Sequence, residues 1–222
     1  MKSTLINMTA VLFGITLVAS AGVGAVYMIT AEPIAQAEEA AKKEALTQVL
    51  PAFDATEAET LAIDEMPITV YTATHSGAVS GYAVETMSKN GFGGPISLMV
   101  GFTPEGEVVN VNVLKQAETP GLGTKMADEG NPLLKSFQGN NPGNMKMLVK
   151  KDGGDVEALT AATISSRAYV DAISRAWKAF QSVTTGAAPV DTPSGATTLV
   201  ADSADEAAEA TETENQEGGQ NE

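Results

Sequence analysis

Ile96-Ser97-Leu98-Met99-Val100-Gly101-Phe102-Thr103-Pro104-Glu105-Gly106-Glu107-Val108-Val109-Asn110-Val111-Asn112-Val113-Leu114 decides the fold class. Its spacing predicts strands over 96–102 and 107–114, joined by a Thr-Pro-Glu-Gly turn with proline and glycine in favourable places. In the second strand Val109, Val111 and Val113 alternate with Asn110 and Asn112, the period of a half-buried antiparallel strand. Residues 68–73 and 81–86 read as two further short strands, and 145–149 as another, closed by Asp152-Gly153-Gly154. Downstream, 166–182 reads as a helix, because Val170, Ile173, Trp177 and Phe180 recur on one face. The expected class is α+β, a mainly antiparallel sheet with flanking helices.

Ahead of this domain, 3–31 carries no charge, and 8–29 is dominated by apolar and small residues. At about 1.5 Å rise per residue that segment spans the roughly 30 Å hydrocarbon core of a bilayer. Ala19-Ser20-Ala21 has the small-x-small form of a cleavage site, so a signal peptide competes with an anchor. The apolar run continues through Val23, Val26, Met28 and Ile29, beyond the roughly 7–15 residues of a signal core, so a single uncleaved transmembrane helix is predicted. Lys2 before the span and Lys42 and Lys43 after it leave its orientation open. Residues 33–50, rich in Ala, Glu, Lys and Gln and stopped by Pro51, predict a helix leaving the membrane. The expected organisation is an anchor over 1–31, a linker helix region over 32–60, a folded domain over 61–182 and a disordered acidic tail over 183–222.

The formal charge of -15 comes from 28 acids against 13 bases, and no Lys or Arg follows Lys178. That balance argues against nucleic acid or anionic lipid as a partner through bulk electrostatics. With no cysteine there is no disulfide, thiolate nucleophile or Cys-ligated zinc or iron–sulfur cluster. His75 alone cannot furnish a His-rich metal site, and it reads as a surface residue. Gly91-Phe92-Gly93-Gly94 lacks the full spacing of a dinucleotide loop and reads as a turn before the 96–102 strand. No acid/base or nucleotide-hydrolysis constellation emerges.

Two segments stand apart. Thr160-Ala161-Ala162-Thr163-Ile164-Ser165-Ser166 places four hydroxyls among small residues just before the 166–182 helix. N-capping needs only one of them. Free amides and the dipole at a helix start also suit a phosphate, so both readings stay open. Glu118-Thr119-Pro120-Gly121-Leu122-Gly123, with Lys125 behind it, follows the 107–114 strand. It is either an ordinary loop or a backbone cleared of side chains for a flat ring.

Together these segments resemble the FMN-binding domain family, and within it the G subunits of Rnf ion-translocating electron-transport complexes. The C subunits of sodium-pumping NADH:quinone oxidoreductases are close relatives. Thr160-Ala161-Ala162-Thr163 is similar to the family's Ser/Thr-Gly-Ala-Thr motif, with Ala161 where glycine is usual. Glu157 stands where aspartate is usual, and Asp155 lies two residues upstream. The resemblance implies FMN joined by a phosphoester to the Thr163 hydroxyl, installed by a flavin transferase, with Thr160, Ala162, Ile164 and Ser165 lining the attachment. It further implies that Glu118, Thr119, Gly121, Leu122, Gly123 and Lys125 shelter the isoalloxazine ring. The expected protein is thus an electron-carrier subunit of a translocase complex, with no acid/base site of its own. Other membrane subunits are its partners, ferredoxin and NAD act elsewhere in the complex, and Na⁺ or H⁺ is moved. The resemblance places it in the cytoplasmic (inner) membrane as a single-pass protein with its domain on the periplasmic side. A quinone-reductase C subunit, a flavin-free anchored scaffold and a cleaved solute-binding module are the alternatives.

Overall fold

The computed structural model describes residues 5–186. A 45-residue helix, α1 (Leu5–Val49), comes first and includes Pro33. The apolar segment and the helix expected over 33–50 are thus one continuous helix. Proline removes one backbone donor, but strong helix formers on either side carry the helix through. By length and composition it is the one helix among the described residues able to cross a membrane. The chain divides into two compact units between Glu44 and Ala45.

The second unit is built on a five-stranded antiparallel meander in the order β1-β2-β3-β4-β5. Its strands are β1 (Ala55–Ile63), β2 (Met66–His75), β3 (Ala78–Ser88), β4 (Ile96–Phe102) and β5 (Val108–Lys115). The 96–102 strand stands as expected, 107–114 moves by one residue, and 68–73 and 81–86 are the middles of longer strands. β1 begins inside the stretch expected to be linker. Residues 145–149 form no strand; Val149 makes only an isolated bridge to Val156.

The valine–asparagine alternation of β5 holds with one adjustment. A bulge at Val109 lies between the pairs Phe102–Val108 and Gly101–Asn110. Val108, Val111 and Val113 therefore share the main core face. Asn110 and Asn112 turn to the other face, where their amides donate to the carbonyl and side chain of Gln48.

Both sheet faces are covered. On one lies α3 (Thr163–Thr185), which starts three residues earlier than expected and ends three later. Phe102 of β4 sits 5.0 Å from the Phe180 ring and 5.9 Å from Trp177, both of α3. On the other, Ala45, Leu46, Val49 and Leu50 close a smaller cluster with Ala73, Ala83 and Met99. Gly101 permits this approach: a Cβ there would lie 1.8 Å from the Val49 carbonyl oxygen. Of the expected acidic tail, 183–185 are helical and 187–222 lie outside the described residues.

A buried ion cluster ties α3 to the β1–β2 turn. Arg175 reaches Asp64 at 2.9 Å and Asp171 at 3.4 Å, and Asp171 accepts from Ser88 Oγ at 2.6 Å. Asp64 and Glu65 both have positive φ, the form a two-residue hairpin turn demands. The ion pair holds Asp64 there despite the lack of glycine.

Candidate functional site

β5 ends at Lys115, and the chain then runs through Glu118 and Thr119 into a short 3-10 turn, Gly123–Ala127. This loop meets the first turn of α3. Between them is a cavity of about 340 Å³, lined by Glu118, Thr119, Leu122 and Gly123 from the loop, and by Ala161, Ala162, Thr163, Ile164 and Ser165. Phe92 completes the wall. Small-molecule sites run from roughly 300 to 1,000 Å³. Four large apolar side chains are exposed within residues 45–186 of the described chain, and Phe92, Leu122 and Ile164 are three of them. Such a cluster at one cavity mouth marks a binding surface rather than ordinary surface scatter.

Eight of the eleven residues expected at the site therefore line one cavity. Thr160, Gly121 and Lys125 are outside the lining. Gly121 nonetheless takes a positive φ of 76° and donates its N–H to Thr124 Oγ1, which shapes the loop. Phe92, read as part of a plain turn, is the addition. Its only sequence signal is an aromatic ring set between glycines. His75 pairs with Asp54 at 3.2 Å on the half-exposed β2–β3 turn. A second cavity of about 340 Å³, lined by Gln48, Asn110, Asn112, Asp128, Glu129 and Asn131 among others, carries no aromatic group and no α3 residue.

One side chain holds the first cavity together. Glu118 is 5% exposed. Its Oε1 accepts from the Gly93 N–H at 3.1 Å, and its Oε2 from the Ser165 hydroxyl at 2.5 Å. It thereby joins three segments distant in sequence. Gly123 is where they crowd: a Cβ would lie 2.7 Å from Glu118 Oε2 and 2.8 Å from Ser165 Oγ.

The start of α3 shows what its hydroxyls contact. The N-cap is Ala162, and no side chain caps the helix. Ser165 bonds Glu118, while Ser166 accepts from the Leu159 N–H at 2.9 Å and donates to the Ala162 carbonyl. The first amides of a helix have no intrahelical acceptor. Here they begin at Thr163, in the cavity wall, which suits an anion.

Ala161 has a φ of 60°, in the left-handed region that favours glycine. Ala161→Gly is expected to stabilise the domain by about 1 kcal/mol, read as a higher midpoint in urea unfolding. An unchanged midpoint would mean the turn relaxes without strain.

Behind the first turn, Arg167 grips Asp152 through two contacts of 2.7 Å. The Arg167 guanidinium holds the Asp152 carboxyl below its ordinary value of 3.8. A carboxylate depressed on folding stabilises fully above its unfolded value, and the contribution is lost as pH falls through the lower folded value. Asp152→Asn should therefore weaken the domain at neutral pH and flatten the acid limb of its stability curve. Parallel acid limbs in pH-dependent urea melts would refute this.

Residues 91–178 match the family described as FMN-binding domain. The chain is 34% identical over 189 residues to the G subunit of the ion-translocating oxidoreductase complex of Shewanella baltica (strain OS223), covering 79% of this chain and 89% of that one. The chain belongs to this G-subunit family. The corresponding protein of Shewanella amazonensis (strain ATCC BAA-1098 / SB2B) is 32% identical over 189 residues, covering 79% and 87%. That of Haemophilus influenzae (strain PittEE) is 36% identical over 160 residues, covering 68% and 77%. The FMN-binding match takes in both walls of the first cavity, from Phe92 through Ser165.

Proposed function

We propose that this G-subunit relative is a membrane-anchored flavoprotein of an Rnf-type complex, carrying FMN in the first cavity on a phosphoester to Thr163. The observation that carries this reading is the meeting of the Glu118–Gly123 loop with Thr163 across one cavity. The residues fit the group. The mouth is apolar and flanked by Phe92, Leu122 and Ile164, as a flat aromatic ring requires. Thr163 opens a helix whose first amides have no side-chain cap, as a phosphate requires.

FMN supplies electron transfer, and the chain's part is to hold and orient it. The Thr163 hydroxyl would hold the phosphate end, and the first-turn amides would stabilise its charge. Ala161 and Ala162 keep the approach narrow but open. Phe92, Leu122 and Ile164 would shield a flat ring from water, while Gly123 leaves room for the Glu118–Ser165 contact.

In this proposal a flavin transferase matures the protein, other membrane subunits flank it, and α1 anchors it in the cytoplasmic (inner) membrane with the domain on the periplasmic side. Ferredoxin and NAD react elsewhere in the complex, and Na⁺ or H⁺ is moved with the electrons. The test is fluorescence on a denaturing gel after co-expression with the transferase. A fluorescent band supports covalent FMN. Yellow protein that gives a dark band would leave a noncovalent flavoprotein, and colourless protein would leave the anchored scaffold.

A further inference from the structure

Glu118 is the one carboxylate in the cavity wall, and both its oxygens already accept hydrogen bonds. Accepting at both oxygens is the role of the ionised form. Its partners, a backbone N–H and a hydroxyl, are uncharged. They stabilise the carboxylate without neutralising it. The start of α3 offsets part of the charge, roughly half an elementary charge at most for a helix dipole. A net negative charge therefore remains in a buried wall, where screening by water is weak.

Any group in that cavity that accepts electrons gains negative charge against this fixed anion, so its reduced form is disfavoured relative to its oxidised form. We propose that the Glu118 carboxylate, held by Gly93 and Ser165, lowers the reduction potential of the flavin bound beside it. This rests on the FMN reading above and gives Glu118 a role beyond sheltering a ring: it is a positioning residue whose charge acts through space.

The experiment is spectroelectrochemical titration of the full chain, co-expressed with the flavin transferase, in mildly alkaline buffer. Glu118→Gln keeps size and burial but removes the charge, and its flavin potential should move positive. Glu118→Asp keeps the charge and should return most of the way to wild type. Ser165→Ala removes a donor from the anion, concentrates its charge and should move the potential negative. Opposite signs from two neighbouring substitutions are not what general loosening of the fold would give. Glu105→Gln is the control, because that carboxylate is exposed in the turn between β4 and β5 and lies outside the lining.

An unchanged or more negative potential in flavin-loaded Glu118→Gln would overturn the proposal. Should that variant fail to load, Ser165→Ala decides, and no negative shift there overturns it equally. Wild-type protein without flavin would sink the FMN reading and this inference with it. Coloured wild type with an unmoved potential would sink the inference alone.

Discussion

Thr163→Ala is expected to give a folded protein that is dark on a denaturing gel, where wild type co-expressed with flavin transferase is expected to fluoresce. Loss should be complete, because a phosphoester needs an oxygen and alanine has none. The two serines of the first turn are already engaged: Ser165 is committed to Glu118, and Ser166 to Leu159 and Ala162. The fold should survive, since Thr163 does not cap α3 and alanine is the better helix former. Circular dichroism and melting of the variant should match wild type within about 0.5 kcal/mol, as for a partly exposed position without a structural contact. A band that stays fluorescent in Thr163→Ala would place the linkage elsewhere.

Phe102→Ala carries the largest expected cost in stability, about 3–5 kcal/mol by the usual range for a buried aromatic ring. Phe102 is fully buried where β4 meets α3, against Trp177 and Phe180. Trp177 and Phe180 are themselves stacked at 5.2 Å and cannot close over the gap without leaving each other. Urea unfolding followed by Trp177 fluorescence reads the effect directly, because this is the chain's single tryptophan. A loss below about 1 kcal/mol, the size of a small core truncation, would mean that α3 is held mainly by its ion cluster.

The central hairpin and α3 were legible because β5 alternates valine with asparagine beside a Thr-Pro-Glu-Gly turn, and α3 repeats its large apolar residues about every turn. β1 was not. Its Thr-Glu-Ala-Glu-Thr sequence leaves six of nine residues exposed in succession, so no apolar face announces a strand. It is defined by pairing with β2, a long-range fact. Residues 145–149 erred the other way: Met145, Met147 and Val149 alternate as a strand would, yet they pack singly against the core. At the site, the two motif segments came from resemblance, and physics alone left the α3 hydroxyls undecided. None of them caps the helix, because the N-cap turns out to be an alanine. Phe92 and the Glu118–Ser165 bond had no local signature. The bond joins residues 47 apart, and nothing in either segment names the other.

The meander has a consequence in time. Each strand pairs with the one made just before it, so the sheet can assemble in the order of synthesis from contacts between near neighbours. The cavity cannot. One wall follows β5, and the other is the opening turn of the last helix among the described residues. No seat for a prosthetic group exists on a half-made chain. On the proposed function, loading follows folding, and the flavin transferase would meet a finished surface rather than a nascent peptide.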